Sequence, residues 1–170
     1  MFTNPEKNLK AVPLHENHIV ADLGAGTGYY TIAAGRLAHL GKVYAVEIHK
    51  ELLATIQNKI KDAGLSNVEV LLGNIEKVGG TKIGEGVVDL AIVSNVFFQL
   101  EDKETFVDEV ERIVKKSGKV LLIDWSPDFV SPKGAMSKDA VVSIFRDKGF
   151  KLEREIDAGA HHYGMILVKQ

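Results

Sequence analysis

The chain has 170 residues, 45% apolar and 26% charged, with a formal net charge of −2 and no cysteine. That length gives about one domain with enough chain to bury a core, and 1–170 is read as a single domain. Disulfides, thiolate metal sites and cysteine nucleophiles are excluded.

Six histidines form no His-x-x-x-His pair, so no metal site is expected. The strongest basic cluster is Lys115–Lys116 with Lys119, which gives no clear nucleic-acid signal. No apolar run approaches the roughly 18 residues of a membrane span. The first residues, with Glu6, Lys7 and Lys10, lack the apolar stretch of a signal peptide, so a cytoplasmic protein is expected.

Taken in order, Asn4 suits a cap for a helical turn with Pro5 at its first position. Ile19–Leu23 is a β-branched run, followed by helical periodicity from about Thr27 to Leu40. Val43–Ile48 is the second strand. Leu52, Leu53, Ile56, Ile60 and Ala63 then recur at helical spacing, closed by Gly64. Val68–Leu72 is the third strand. Four glycines at 79, 80, 84 and 86 predict a loop. Val87–Val93 is the fourth strand, and a helix from about Lys103 to Lys116 carries Phe106, Val107, Val110, Ile113 and Val114 on one face. Val120–Ile123 is the fifth strand. Ser137 caps a helix through Lys148, with Gly149 as terminator. Runs at Lys151–Ile156 and Gly164–Val168 complete the chain.

Strands alternating with helices imply an α/β protein, a parallel sheet with helices on both faces. Residues 157–163 are too few for a parallel crossover. The expectation is therefore a three-layer sandwich around a seven-stranded mixed sheet, mostly parallel, with the last strand antiparallel.

Val20-Ala21-Asp22-Leu23-Gly24-Ala25-Gly26-Thr27-Gly28 leaves a strand and opens a helix, where doubly wound sheets bind ligands. Its glycines allow a sharp turn and close approach of a ligand, and N–H groups at a helix start favour an anionic group such as a carboxylate. A dinucleotide fingerprint, G-x-G-x-x-G, needs its third glycine at position 29, where this chain has Tyr29. Glu47 ends the second strand and suits the two hydroxyls of a ribose.

On these residues the chain resembles the class I S-adenosylmethionine-dependent methyltransferases from about Asn4 to Lys169. The resemblance implies the fold above, a methyl-transfer activity, and S-adenosyl-L-methionine as cofactor with S-adenosyl-L-homocysteine as product. Asp22, Gly24, Ala25, Gly26, Thr27, Gly28 and Tyr29 are similar to the family's first motif. Glu47 matches the ribose clamp, and Ile48 the apolar residue beside adenine. Asn74 stands where the family commonly has an aspartate against the adenine amino group, with Ile75 beside it. Ser94 and Asn95 match the segment where the main chain meets the methionine end.

Methyl transfer needs positioning more than activation, so no catalytic dyad is required. Phe97, Phe98, Trp125 and Tyr163 are candidate walls of the acceptor pocket. Asp124, His161 and His162 are candidate catalytic groups. Adjacent residues of an extended chain face opposite ways, so at most one of the two histidines faces in. The absence of Asn-Pro-Pro-Tyr or Asp-Pro-Pro-Tyr after strand four argues against adenine amino-methylation in nucleic acid. A small-molecule acceptor is expected, and the oligomeric state is not readable. The alternatives are a non-catalytic S-adenosylmethionine-binding module or partner subunit of a methyltransferase, and an NAD-dependent oxidoreductase.

Overall fold

A computed structural model describes residues 4–128 and 130–170. Helix α1 (Pro5–Lys10) starts at Asn4, whose side chain accepts from the Lys7 N–H, with Pro5 in the first turn. Then come β1 (Ile19–Leu23), α2 (Tyr29–Leu37), β2 (Lys42–Glu47), α3 (Lys50–Asp62), β3 (Val68–Leu72) and β4 (Val88–Ser94). After a short 3-10 turn at Phe97–Gln99 follow α4 (Lys103–Ile113), β5 (Val114–Trp125), α5 (Lys138–Asp147), β6 (Phe150–Ile156) and β7 (His162–Lys169).

The seven strands form one sheet in the order β3-β2-β1-β4-β5-β7-β6. β1 to β5 are mutually parallel, and β7 runs antiparallel to both β5 and β6. The expected mixed sheet is therefore present. The strand order reverses between β1 and β4, which opens a crevice at their carboxyl ends. Since β7 is reversed, its first residue, His162, lies opposite the last residue of β5, Trp125.

Strand alternation sends side chains to two cores. On one face Ala91, Val93, Val120, Leu122, Met165 and Leu167 meet Phe106 and Val110 of α4 and Phe145 of α5. On the other, Val20, Leu90, Ile92, Leu121, Ile123 and Ile166 meet Leu9 of α1 and Tyr30, Ala33 and Ala34 of α2. Burying the equivalent of one large apolar side chain in either core stabilises the fold by roughly 2–3 kcal/mol.

The three largest boundary differences from the sequence expectation are the ends of α2 and α4 and the start of β5. Helix α2 runs Tyr29–Leu37 rather than to Leu40, because the Asn67 side chain donates to the Gly35 and Ala38 carbonyls at 3.0 and 2.8 Å and caps its end. Helix α4 stops at Ile113 rather than Lys116. Val114 already pairs with Val88, and the register then shifts so that Leu90 meets Lys119, with Ser117 in the left-handed region at φ 64°. Residues 115–118 are thus a bulge inside a strand that starts earlier than Val120.

The glycine-rich 79–86 stretch is held as a loop by one buried acid. Glu109 accepts from the Gly79 and Thr81 N–H groups and the Thr81 hydroxyl, and pairs with Arg112 at 2.8 Å. Burial opposes its ionisation, but these donors hold its carboxyl below the usual range. Among the described residues no helix is long and apolar enough to cross a membrane.

Candidate functional site

A cavity of about 670 Å³ opens at the carboxyl ends of β1, β2 and β4. That volume lies within the range of small-molecule sites. From the β1–α2 loop it is lined by Asp22, Gly24, Ala25, Gly26, Thr27 and Tyr29. Glu47, Ser94 and Asn95 complete the expected set.

The loop is shaped by left-handed backbone. Gly24 and Gly26 have φ of 73° and 56°, and a Cβ on Gly24 would lie 2.7 Å from a Val96 methyl. A Cβ on Gly26 would meet no protein atom within 4 Å. Gly26 thus presents bare backbone to open space in the cavity wall, which fits close approach of a ligand.

Backbone donors of this loop are turned to the protein itself. The Gly24 and Ala25 N–H groups both donate to the Val46 carbonyl, at 2.9 and 3.0 Å. Gly26 N–H donates to Glu47 at 2.8 Å, and Gly28 N–H to the Ala25 carbonyl at 2.9 Å. The expected anion cradle is corrected at these four positions, because strand β2 takes three of the donors and the loop's own Ala25 the fourth.

Glu47 is buried and accepts three backbone bonds, from Gly26, Ile48 and His49. A carboxylate offers about four acceptor sites, so one remains for a ribose hydroxyl. Asp22 is also buried and accepts the Thr31 hydroxyl at 2.6 Å. Burial pushes its carboxyl up to about 6, opposed by the Thr31 bonds and aided by the nearby Glu47 charge.

Several expected cofactor contacts stand elsewhere. Gly28 packs against Ile56 of α3 and lines a separate, neighbouring cavity. The Asn74 side chain accepts the Glu76 N–H at 2.9 Å, closing its own turn, and Ile75 is buried in the core beneath α4 and α5. Neither belongs to the cavity wall. Ile48 is exposed, between the cavity residues Glu47 and His49.

Val96 and Gln99, in the Asn95–Gln99 segment that the sequence places at the pocket rim, also line the cavity; sequence reasoning missed Pro5, Tyr30, His49 and Leu52, which line it too. Leu52 carried a signal: it lies one turn into the helix that follows Glu47. Pro5 carried none, since α1 reaches the cavity only through tertiary contacts. These are Lys7 with Asp157 at 2.8 Å, Asn8 donating to the Tyr30 hydroxyl at 2.8 Å, and Arg154 donating to the Ala11 carbonyl.

The acceptor-side candidates separate sharply. Phe97 is fully buried, packed edge-on against Phe106 and beside Phe145, so it belongs to the core and not to a pocket. Tyr163 lies on that same core face; burial raises its phenol well above the ordinary range. Asp124 is buried and accepts from the Phe98 and Trp125 N–H groups, both at 2.8 Å. It braces the segment after β4 to the end of β5 rather than facing an acceptor. Burial pushes its carboxyl to about 6, against these backbone bonds and the Lys103 charge.

The two histidines face different ways, as extended chain requires. His161 is exposed and paired with Asp128 at 3.1 Å. His162 is half-buried, its ring tilted at 39° against Trp125 with centroids 4.2 Å apart. Phe98 and Trp125 are half-buried as well.

These features agree with comparisons to known proteins. A crystal structure of a SAM-dependent methyltransferase from Aquifex aeolicus superposes with a TM-score of 0.87 and 28% identity, covering 98% of this chain and 90% of that one. Demethylmenaquinone methyltransferase of Bacillus subtilis is 25% identical over 122 residues, 71% of this chain and 51% of that protein. The Methanosarcina mazei protein named "Probable cobalt-precorrin-6B C(15)-methyltransferase (decarboxylating)" is 31% identical over 94 residues, 54% of this chain and 51% of that protein. The chain spans about half the length of these curated relatives. The family model described as "Methyltransferase domain" matches residues 21–122, and the chain belongs to that family.

Proposed function

We propose that this chain transfers the methyl group of S-adenosylmethionine to a small organic acceptor. The observation that carries the reading is the glycine loop Gly24–Gly26 hydrogen-bonded to Glu47 at 2.8 Å, both lining one cavity of about 670 Å³. The names of the relatives, which specify cobalt-precorrin-6B and demethylmenaquinone, support a small organic acceptor.

In this reading Glu47 takes a ribose hydroxyl on its remaining acceptor site, and the Gly24–Gly26 backbone and Ser94 bound the methionine part. Asp22 supplies negative charge on the α2 side of the cavity. Tyr29, Leu52 and Ile48 offer apolar surface at the mouth. When bound, S-adenosylmethionine supplies an activated methyl group on a cationic sulfur. The protein's work is to fix the acceptor in line with that bond and to exclude water, which supplies much of the rate.

Calorimetric titration with S-adenosylmethionine, S-adenosylhomocysteine and NAD tests the donor. Binding of both methionine compounds and not NAD is expected; NAD binding alone would refute the reading. Binding without transfer of labelled methyl to any member of a broad small-molecule panel would favour a non-catalytic binding module.

A further inference from the structure

Among the described residues, two buried side-chain polar atoms lack a hydrogen-bond partner: Asn95 Oδ1 and His162 Nε2. A buried polar atom without a partner needs an explanation, and an absent ligand is one. Asn95 directly follows β4, and His162 opens β7. Strand β5 lies between those two strands, so both orphan atoms flank the end of one strand.

Sheet alternation extends the pattern. Asp22, Ser94, Trp125 and His162 each continue the strand face whose inner residues, Val20, Ile92, Ile123 and, in the reversed β7, Ile166, pack beneath α1 and α2. The cavity wall formed by Asp22 and Ser94 therefore leads across the same face to the Trp125–His162 pair. Two strand spacings separate β4 from β7, roughly 10 Å, which is the scale of one planar ring system.

The chemistry of the two atoms is alike. An amide oxygen only accepts, and an unprotonated imidazole nitrogen accepts in the tautomer whose proton is on the other nitrogen. What completes both is a donor. The flat surfaces beside them are the Trp125 and His162 rings, and aromatic walls select planar ligands.

We propose that Asn95, Trp125 and His162 form the acceptor subsite, built for a planar aromatic compound with a weakly acidic hydroxyl that donates to His162 Nε2. This rests on the methyl-transfer reading above. In each turnover a bond forms between the acceptor oxygen and the methyl carbon. The sulfur–carbon bond breaks, and its electron pair stays on sulfur. The hydroxyl proton passes to His162 Nε2 and then to solvent. Burial, with His161 adjacent, holds the His162 imidazole below its ordinary range, so it is unprotonated near neutrality and able to take that proton.

The test uses p-cresol as the probe, with toluene and cyclohexanol as comparisons. Trp125 is the sole tryptophan, so its emission reports the subsite without interference from a second indole. In protein labelled with nitrogen-15 at histidine, p-cresol should quench Trp125 saturably and move the His162 Nε2 resonance. Toluene should quench weakly with no nitrogen shift, and cyclohexanol should do neither. His162→Phe keeps a ring on Trp125 and should weaken p-cresol binding about tenfold, the worth of one hydrogen bond. Its affinity for S-adenosylhomocysteine should be unchanged. S-adenosylhomocysteine binding in wild type with an unmoved His162 resonance would overturn this inference alone. Failure of S-adenosylhomocysteine to bind would overturn the underlying function, and this inference with it.

Discussion

Replacing Asp22 by Asn separates a buried charge from its surroundings. The Asp22 carboxyl is 3% exposed and held by Thr31 at 2.6 Å. Its folded pKa is about 6 against an ordinary value of 3.8, burial being the first cause. Between those values the folded state binds more protons than the unfolded state, so stability falls as pH rises. A shift of roughly two units corresponds to about 3 kcal/mol, present below pH 4 and lost by pH 7. Asn keeps an oxygen for the Thr31 hydroxyl and carries no charge, so it escapes this loss. Urea unfolding of both proteins from pH 4 to 8 measures the effect, since other titrations cancel in the difference. The variant should gain about 3 kcal/mol on wild type across that range. A difference that stays flat with pH would refute the reasoning. A bound cation favours ionised Asp22, so wild-type affinity for S-adenosylmethionine should rise through about pH 6. That rise should vanish in the variant.

Other substitutions follow from the same geometry. Gly26→Asp should fold at a cost of about 1 kcal/mol from its φ of 56°, since its Cβ meets no atom and Asp tolerates left-handed backbone, yet lose about 100-fold or more in S-adenosylhomocysteine affinity by calorimetry, because a carboxylate enters the cavity beside Glu47. Gly24→Ala should cost about 2–3 kcal/mol in urea unfolding, from its φ of 73° and the 2.7 Å approach to Val96. Phe97→Ala should cost about 3–5 kcal/mol by the same measurement, as for a fully buried ring, whereas half-buried Phe98→Ala should cost about 1 kcal/mol.

What the sequence makes legible is local. Ile19–Leu23 and Val68–Leu72 are strands with the expected ends, because β-branched runs bounded by polar turns have few alternatives. The reversed last strand follows from the shortness of 157–163. The glycine loop and Glu47 meet in one cavity wall because adjacent parallel strands end together. The acceptor side is less legible for a physical reason. Whether His161 or His162 faces inward depends on one residue of register, and a single step exchanges the two faces of a strand, while Phe97 and Phe98 fall in a 3-10 turn that follows no strand period. The α4–β5 junction misleads for a similar reason: Val110, Ile113 and Val114 satisfy a helical period, yet Val114 is claimed by pairing with Val88. Asn74 keeps its polar character and spends it on its own turn.

The reversal of β7 has a consequence for how such a molecule can change. Residues facing the glycine-loop cavity come from positions 5–99, whereas Trp125 and His162 come from 125–162. At the ligand edge of the sheet the two stretches meet through the pairing of β4 with β5 and the brace from Asp124 to Phe98, while Lys7–Asp157, Arg154–Ala11 and Phe97–Phe145 join them elsewhere. Selectivity can therefore drift in the later stretch while the earlier one stays fixed. A chimera that exchanges residues 126–163 between homologues, with Asp124 kept, is the natural unit for re-targeting this scaffold.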